Sequence, residues 1–457
     1  MIDIAINAVY LVAVLIIGIR AGKNINNIEE FSVAGRSFSY LVIFATLSAS
    51  FIGGGFSMGN AEKVFLFGLV NIFALWGFSL KEILVAQFIA PQIKRYDAPI
   101  TVGDIMDHHY GKGAQVFTGI FSVILCSGIL GAQVGAMGYI FNIFLGLDQM
   151  YGIIIGLGIV IAYSTIGGMR AVVYTDILQF IVLTVGLPLV LIFGVVKAGG
   201  IGTVMQAVPA DHLTLLGPIT LIAFLSLFIT FVIGETLVPP YVQRLLIAKD
   251  VNEVRKGTLL SGLFSIPFLF VTGSIGLVAL VLFPEIDANL AIPTMIKETL
   301  PVGLKGIVVA GVISIVMSSA DSFLNGASVA AVHDVIKPLM KTDDAKDFRL
   351  VKIINFFVGI LAIVFAVKIK SLLDILVYSY NFWSPIVLVP LVVAILGGKV
   401  TKTQFYWGMM GGIIGVAGWN FVLNSPFEID GLIIGVIGNA LLFTLGKFFA
   451  KKDSPVK

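Results

Sequence analysis

The stretch SFIGGGFSMGNAEK, residues 50–63, strings three glycines together inside a run apolar enough to cross a membrane. At about 1 kcal/mol each relative to alanine, Gly53, Gly54 and Gly55 cost a helix roughly 3 kcal/mol. Two readings can offset that. Small residues let helix backbones approach, and Gly55 to Gly59 is itself a G-x-x-x-G. Packing motifs, however, space glycines along one face. A consecutive triplet instead predicts an unwound segment, whose freed N–H and carbonyl groups are tolerated at membrane depth only when buried or when they coordinate something.

Composition fixes the setting of this break. Of the 457 residues 58% are hydrophobic and 12% charged, and the mean hydropathy is +1.03, outside the range of soluble domains. Spanning helices need about 20 mostly apolar residues, and such runs follow one another along the chain. A transmembrane barrel would show shorter segments of alternating polarity. The runs predict an all-α polytopic membrane protein of thirteen helices, at 2–19, 38–59, 64–91, 114–145, 150–166, 172–196, 217–238, 257–283, 303–332, 351–367, 372–397, 404–423 and 429–446. The first run lacks the basic leader and small-residue cleavage site of a signal peptide and is read as a helix. Cys126 stands alone, so no intrachain disulfide is expected.

Lys and Arg favour cytoplasmic loops. With the N-terminus outside and the C-terminus inside, most of the 29 basic residues fall on inner loops and the tail, Arg36, Lys94, Arg244 and Lys346 among them, while Lys81 falls within a helix. The basic clusters are interleaved with acids, as in KTDDAKDFR, and read as a solvated topology signal, with no nucleic-acid partner.

Transporters built from inverted repeats break helices at corresponding positions of their two halves and hold ion and substrate there. A second break is therefore expected five helices on, in 217–238. That segment ends FVIGETLVPPYVQR, where Gly234 precedes the intramembrane Glu235 and Pro239-Pro240 limits regular helix.

Three motifs resemble the sodium/solute symporter family: GGMRAVVYTDILQ at 167–179, Gln243-Arg244, and MSSADS at 317–322. They arrive in that family's order, and the resemblance extends over about residues 5–445. It implies a LeuT-like core of five plus five inverted helices, 38–197 and 217–397, with one extra helix (2–19) before and two (404–446) after. It implies a Na⁺ site formed by the backbone carbonyls of Ala49, Ile52 and Ile315 and the hydroxyls of Ser318 and Ser319. Neutral oxygens suit a hard cation that must also leave. Membrane serines also commonly bond back to the carbonyl one turn earlier, which is the structural alternative for Ser318 and Ser319. Some members of the family are thought to hold another sodium, which here would recruit Asp176, Ser318, Asp321 and Ser322. Asp176 could instead cap its helix or meet Arg170.

The solute is expected at the two breaks, against Gly53, Gly54, Gly55 and Phe56, Gln133, Phe231 and Glu235, and Tyr378 and Asn381. A buried Glu235 needs a cation, whether Lys81, a coupling ion or a positive group of the solute. FIGGGFSMGNAE resembles the choline-transporting branch, yet Phe51, Leu130 and Val238 stand where that branch has tryptophans, which weakens a quaternary-ammonium cage. No arginine in the third core helix grips a strongly acidic solute. A small neutral or zwitterionic nutrient remains, an amino acid such as proline first, then a monocarboxylate or vitamin. The expected function is sodium-coupled symport by alternating access in the plasma membrane, with sodium, the solute and the bilayer as partners and no obligate protein partner.

Rival classes fit less well. A channel needs rings lining a continuous pore. An enzyme needs a catalytic constellation, and His108, His109, His212 and His333 show no metal-binding spacing; His108-His109 beside Asp104 and Asp107 reads as a solvated surface. A sensor of the same fold would carry a signalling domain, for which the tail to Lys457 has no room.

Overall fold

The glycine triplet does break its helix. In the computed structural model, which describes residues 2–23, 25–52, 54–96, 98–368 and 372–449, helix α1 spans Ile2–Ala21. The first broken span follows, as α2 (Tyr40–Phe51) and α3 (Gly54–Phe67). The axes of Tyr40–Phe51 and Phe56–Phe67 meet at 51°. Ile52, at φ −96° and ψ 35°, leaves the helix between them. Gly53 lies outside the described residues.

Helix α4 (Val70–Leu84) runs through a π-helical turn at Val85–Ile89 and on to Ile93. The short α5 (Val102–Tyr110) opens on a capping box in which Thr101 and Asp104 satisfy each other's backbone N–H groups. Beyond it, α6 (Lys112–Leu145) leads into α7 (Gln149–Lys197), a 49-residue element covering the two helices expected at 150–166 and 172–196. Gly168, at φ 49° and ψ −150°, marks the kink between them. Only glycine takes that conformation cheaply, and a Cβ there would lie 2.6 Å from the Phe31 carbonyl.

The second expected break is present as well. Helix α8 (Leu221–Ile233) ends at Gly234, and α9 (Pro239–Leu246) starts with two prolines in its first turn. Proline at these positions costs nothing, because the first N–H groups of a helix have no intrahelical partner. Leu237, with φ 56°, turns the chain between the two.

Three long helices and an interrupted span then follow. These are α10 (Val251–Leu282), α11 (Leu304–Val329), α12 (Asp344–Lys368), and a third broken span of α13 (Leu372–Tyr380) and α14 (Val389–Ile395). Asn381, Phe382 and Trp383 interrupt this last span before a π-helical turn. The expected helix at 372–397 is present as one candidate span, Ile375–Ile395, with this interruption inside it, for which Pro385 in YNFWSPIV is the sequence signal. Helices α15 (Lys402–Ala417) and α16 (Gly431–Phe449) complete the chain and pack on each other.

By length and hydropathy alone, nine described helices suffice to cross a membrane, or ten with the bent pair counted as one span. The thirteen expected runs map onto more pieces than that test accepts, because breaks and kinks cut several below spanning length. The third expected helix, 64–91, starts later, at Val70, because residues 54–67 complete the broken span instead. Helix α11 is buried nearly throughout and packs against α1, α2, α6 and α7. It therefore faces the first break from the centre of the molecule.

The two breaks are tied together at one end. Phe38 and Ala248 form a parallel bridge, with Phe38 N–H donating to Ile247 O at 3.2 Å and Lys249 N–H to Phe38 O at 2.9 Å. Lys94 Nζ donates to Leu246 O at 3.2 Å, sealing the same end. Toward the other end opens a cavity of about 930 Å³, lined by Lys63, Asn71, Thr230, Tyr378, Asn381 and Asp430 among others.

Candidate ion and solute sites

Ser318 and Ser319 are buried and turned toward the first break. Ser318 Oγ donates to Ala49 O at 2.7 Å and lies 3.0 Å from Ile315 O. Of the five expected sodium-ligand oxygens, Ser318 Oγ thus sits within hydrogen-bond reach of two others. Ser319 Oγ reaches the carbonyl of Ser50 at 2.6 Å, one residue from the expected Ala49. The Ile52 carbonyl, freed by the break, accepts from Ser57 Oγ at 2.9 Å. Back-bonding within the helix therefore occurs, through Ile315 O, but each hydroxyl also crosses from α11 to α2. This is a cluster of neutral oxygens joining two helices, the donor set that suits a monovalent hard cation.

The second candidate set is organised around a residue that the sequence reading placed on an inner loop. Arg244 is fully buried. Its Nη2 lies 3.0 Å from Asp176 Oδ2 and 2.5 Å from both Ser50 Oγ and Ser322 Oγ, and its Nε lies 3.0 Å from Thr46 Oγ1. Thr46 Oγ1 also donates to Asp176. Asp176 neither caps α7 nor meets Arg170. Asp321 accepts from Tyr163 OH at 2.6 Å and from Ser322 Oγ at 3.1 Å. Asp176, Asp321 and Ser322 therefore belong to one network across α2, α7, α9 and α11, with the guanidinium at its middle. Thr46, Ser50 and Tyr163 are members that no motif pointed to.

The expected solute residues divide between two levels. Tyr378 and Asn381 line the 930 Å³ cavity. Phe56 and Phe231 are buried below it, with ring centroids 5.6 Å apart, and Phe78 stands 5.1 Å from Phe56. Gln133 is buried, and Gly54 and Gly55 open α3. Phe51 packs on Tyr241 and Phe323, while Leu130 and Val238 are buried in the core.

Lys81 is not the partner of Glu235. Its Nζ pairs with Glu82 Oε1 at 2.7 Å and lies over the rings of Phe78 and Tyr241, at 4.0 and 4.5 Å from their centroids. Tyr241 OH donates to the other Glu82 oxygen at 3.1 Å. Adjacent residues on a helix do not face each other, and no spacing rule would pair Lys81 with Glu82 across the next position; the aromatic rings hold the lysine back onto its neighbour.

The histidine reading also needs correction. Asp104 joins His333 and Asp334, not His108 and Asp107, and their ligand-type atoms lie within 4.8 Å of one another. His333 Nε2 lies 2.8 Å from Asp104 Oδ1, and Thr101 Oγ1 donates to Asp334 Oδ1 at 2.6 Å. Burial opposes ionisation of Asp104, but the His333 ring and two backbone N–H groups hold its carboxyl below the usual range. The cluster is a hydrogen-bonded staple between α5 and the end of α11's π-helical extension.

A family model described as the sodium:solute symporter family matches residues 31–412. The chain belongs to that family. Its curated relatives include the sodium/glucose cotransporter 1 of Ovis aries, 25% identical over 91% of this chain and 71% of the relative. The sodium/myo-inositol cotransporter of Homo sapiens is 25% identical over 90% and 66%. Among solved structures, a substrate-bound, outward-open Na⁺-coupled sialic acid symporter aligns at TM-score 0.86 with 18% identity, covering 100% of this chain and 98% of that one. A nucleobase-cation-symport-1 family transporter in a closed conformation aligns at 0.63 with 13% identity, over 93% and 96%. These likenesses establish the LeuT-like fold. As a sodium:solute symporter, the protein is a multi-pass membrane transporter that uses sodium as its coupling ion, and it is not an enzyme.

Proposed function

We propose that this symporter imports a small polar organic solute, an amino acid such as proline first, by alternating access, with sodium held by Ala49 O, Ile52 O, Ile315 O, Ser318 Oγ and Ser319 Oγ. The observation carrying this reading is the contact of the two α11 hydroxyls with the carbonyls freed at the α2–α3 break. A cation there joins the broken helix to its neighbour, so sodium binding favours the arrangement in which those two elements meet. Differential affinity of this kind is what couples an ion to a conformational equilibrium. The repeats would span 38–197 and 217–397. With the N-terminus outside, the cavity faces outward and the Phe38–Ala248 end faces the cytoplasm of the cell whose plasma membrane holds the protein.

A second reading, a neutral polyol or sugar, is favoured by the names of the curated relatives. Thermal stabilisation of purified protein across proline, a monocarboxylate, glucose and myo-inositol, in sodium and in potassium, separates the two. The sodium site is tested by Ser319→Ala in proteoliposomes. Loss of one ligand worth about 1–2 kcal/mol raises the sodium concentration for half-maximal uptake roughly five- to thirtyfold. Sodium dependence identical to the parent protein would remove Ser319 from the site.

A further inference from the structure

Below the outer cavity the structure gathers polar atoms that have no protein partner. Thr230 Oγ1, Glu235 Oε2, Tyr380 OH and Asn381 Oδ1 are all buried, and among the described residues none of these four atoms finds a hydrogen bond. They come from only two places, the α8–α9 break and the α13–α14 break. Thr230 and Asn381 line the cavity, and Glu235 follows Thr230 by little more than a helical turn. Tyr380 packs against the chain at Gly234, where an added Cβ would lie 2.6 Å from its ring. The backbone of the break, by contrast, is satisfied: Ser384 Oγ reaches Ile233 O at 2.6 Å and Gly234 O at 2.7 Å, and Trp383 Nε1 donates to Thr236 O at 2.9 Å. The break is thus rigidly held, and what it leaves over is side-chain acceptors.

Charge decides what those acceptors want. The acidic and basic side chains around Glu235 are Lys81 and Glu82, which pair with each other at 2.7 Å; Cys126, Tyr241 and Tyr380 are also near it. Glu235 is therefore the surplus acid of a buried Lys-Glu-Glu set, 5% exposed. A buried carboxyl without a counter-charge stays protonated, and it ionises when a cation arrives to compensate it. The rings of Phe56, Phe78 and Phe231 pack on one another, with centroids 5.1 and 5.6 Å from Phe56, and an aromatic face attracts a cation.

We propose, building on the symport reading above, that Glu235 is the specificity-determining residue and that the solute carries a protonated amine, which binds Glu235 between the two breaks. The ammonium donates to Glu235 and, with its remaining N–H groups, to oxygens among Tyr380, Thr230 and Asn381, and a zwitterion's carboxylate points away, toward the glycine break and the sodium site. Neutral sugars bring no such charge and are excluded.

The test uses the full-length protein and a panel in which each amine is paired with a counterpart lacking the amine: proline with tetrahydrofuran-2-carboxylate, and glucosamine with glucose. Sodium-dependent thermal stabilisation and proteoliposome uptake are measured for the parent protein, Glu235→Gln and Glu235→Asp. The amine members alone are expected to act. Glu235→Gln weakens their half-saturation roughly ten- to hundredfold, the range for a charged hydrogen bond. Glu235→Asp, which keeps the charge, restores part of it. Sodium stabilisation without solute is retained in Glu235→Gln and shows that the variant folds; if it is lost, the comparison is made with Asn381→Leu, for which amine binding weakens likewise. Sodium-dependent transport of glucose that Glu235→Gln leaves unchanged overturns this assignment and leaves sodium coupling intact. Absence of any sodium-dependent response across the panel removes both.

Discussion

Arg244 and Asp176 show how much a single buried pair can carry. Both side chains are fully excluded from solvent, and between them they contact α2, α9 and α11. A buried pair of this kind does not by itself favour folding over an apolar pair, but removing one partner leaves a naked charge, at a cost of about 3–5 kcal/mol. Arg244→Met and Asp176→Asn are each expected to lower the melting temperature in detergent, and the double variant to recover part of the loss. Additive losses in that double-mutant cycle would show that the two charges are not coupled. Asp176 was legible as an intramembrane acid within a motif. Its partner was not, because a basic residue at the end of an apolar run reads equally well as a loop charge.

At the scale of elements, breaks do the positioning. The α2–α3 break was readable from the glycine triplet, and the α8–α9 break from Gly234 and the two prolines, since both depend on local backbone preference. The kink within α7 is of the same kind. Gly168 holds a positive φ with its Cα against Phe31. Gly168→Ala combines backbone strain of about 1–3 kcal/mol with a clash against the Phe31 carbonyl. A lower melting temperature is expected, and an unchanged one would mean that α7 straightens at no cost. The α13–α14 break was not read from sequence, where Asn381 and Trp383 look like any polar interruption of an apolar run. It takes the Trp383 and Ser384 contacts to the α8–α9 carbonyls to hold it open.

The whole molecule is a scaffold with one end tied and the other open. The tied end carries Phe38, Lys94 and Ala248, and the open end carries the cavity. The proposed topology puts the tied end at the cytoplasm, on the basic-residue pattern. Single cysteines tested in a Cys126→Ser background check this: Ser425→Cys is expected to react with an impermeant maleimide on intact cells, and Lys346→Cys only after permeabilisation. The reverse pattern would invert the proposed topology and the direction in which the cavity faces.

Composition and helix-breaking residues determined on their own that the chain crosses a membrane repeatedly and where two of its spans come apart. These are local properties, set by propensity and hydropathy over a few turns. Only the tertiary structure decided which charges meet. Asp176 finds Arg244 68 residues away, Ser318 reaches Ala49 across 269 residues, and Lys81 pairs with Glu82. Such pairings depend on which helices become neighbours, and helix packing is fixed by side chains distant in sequence that no periodicity connects.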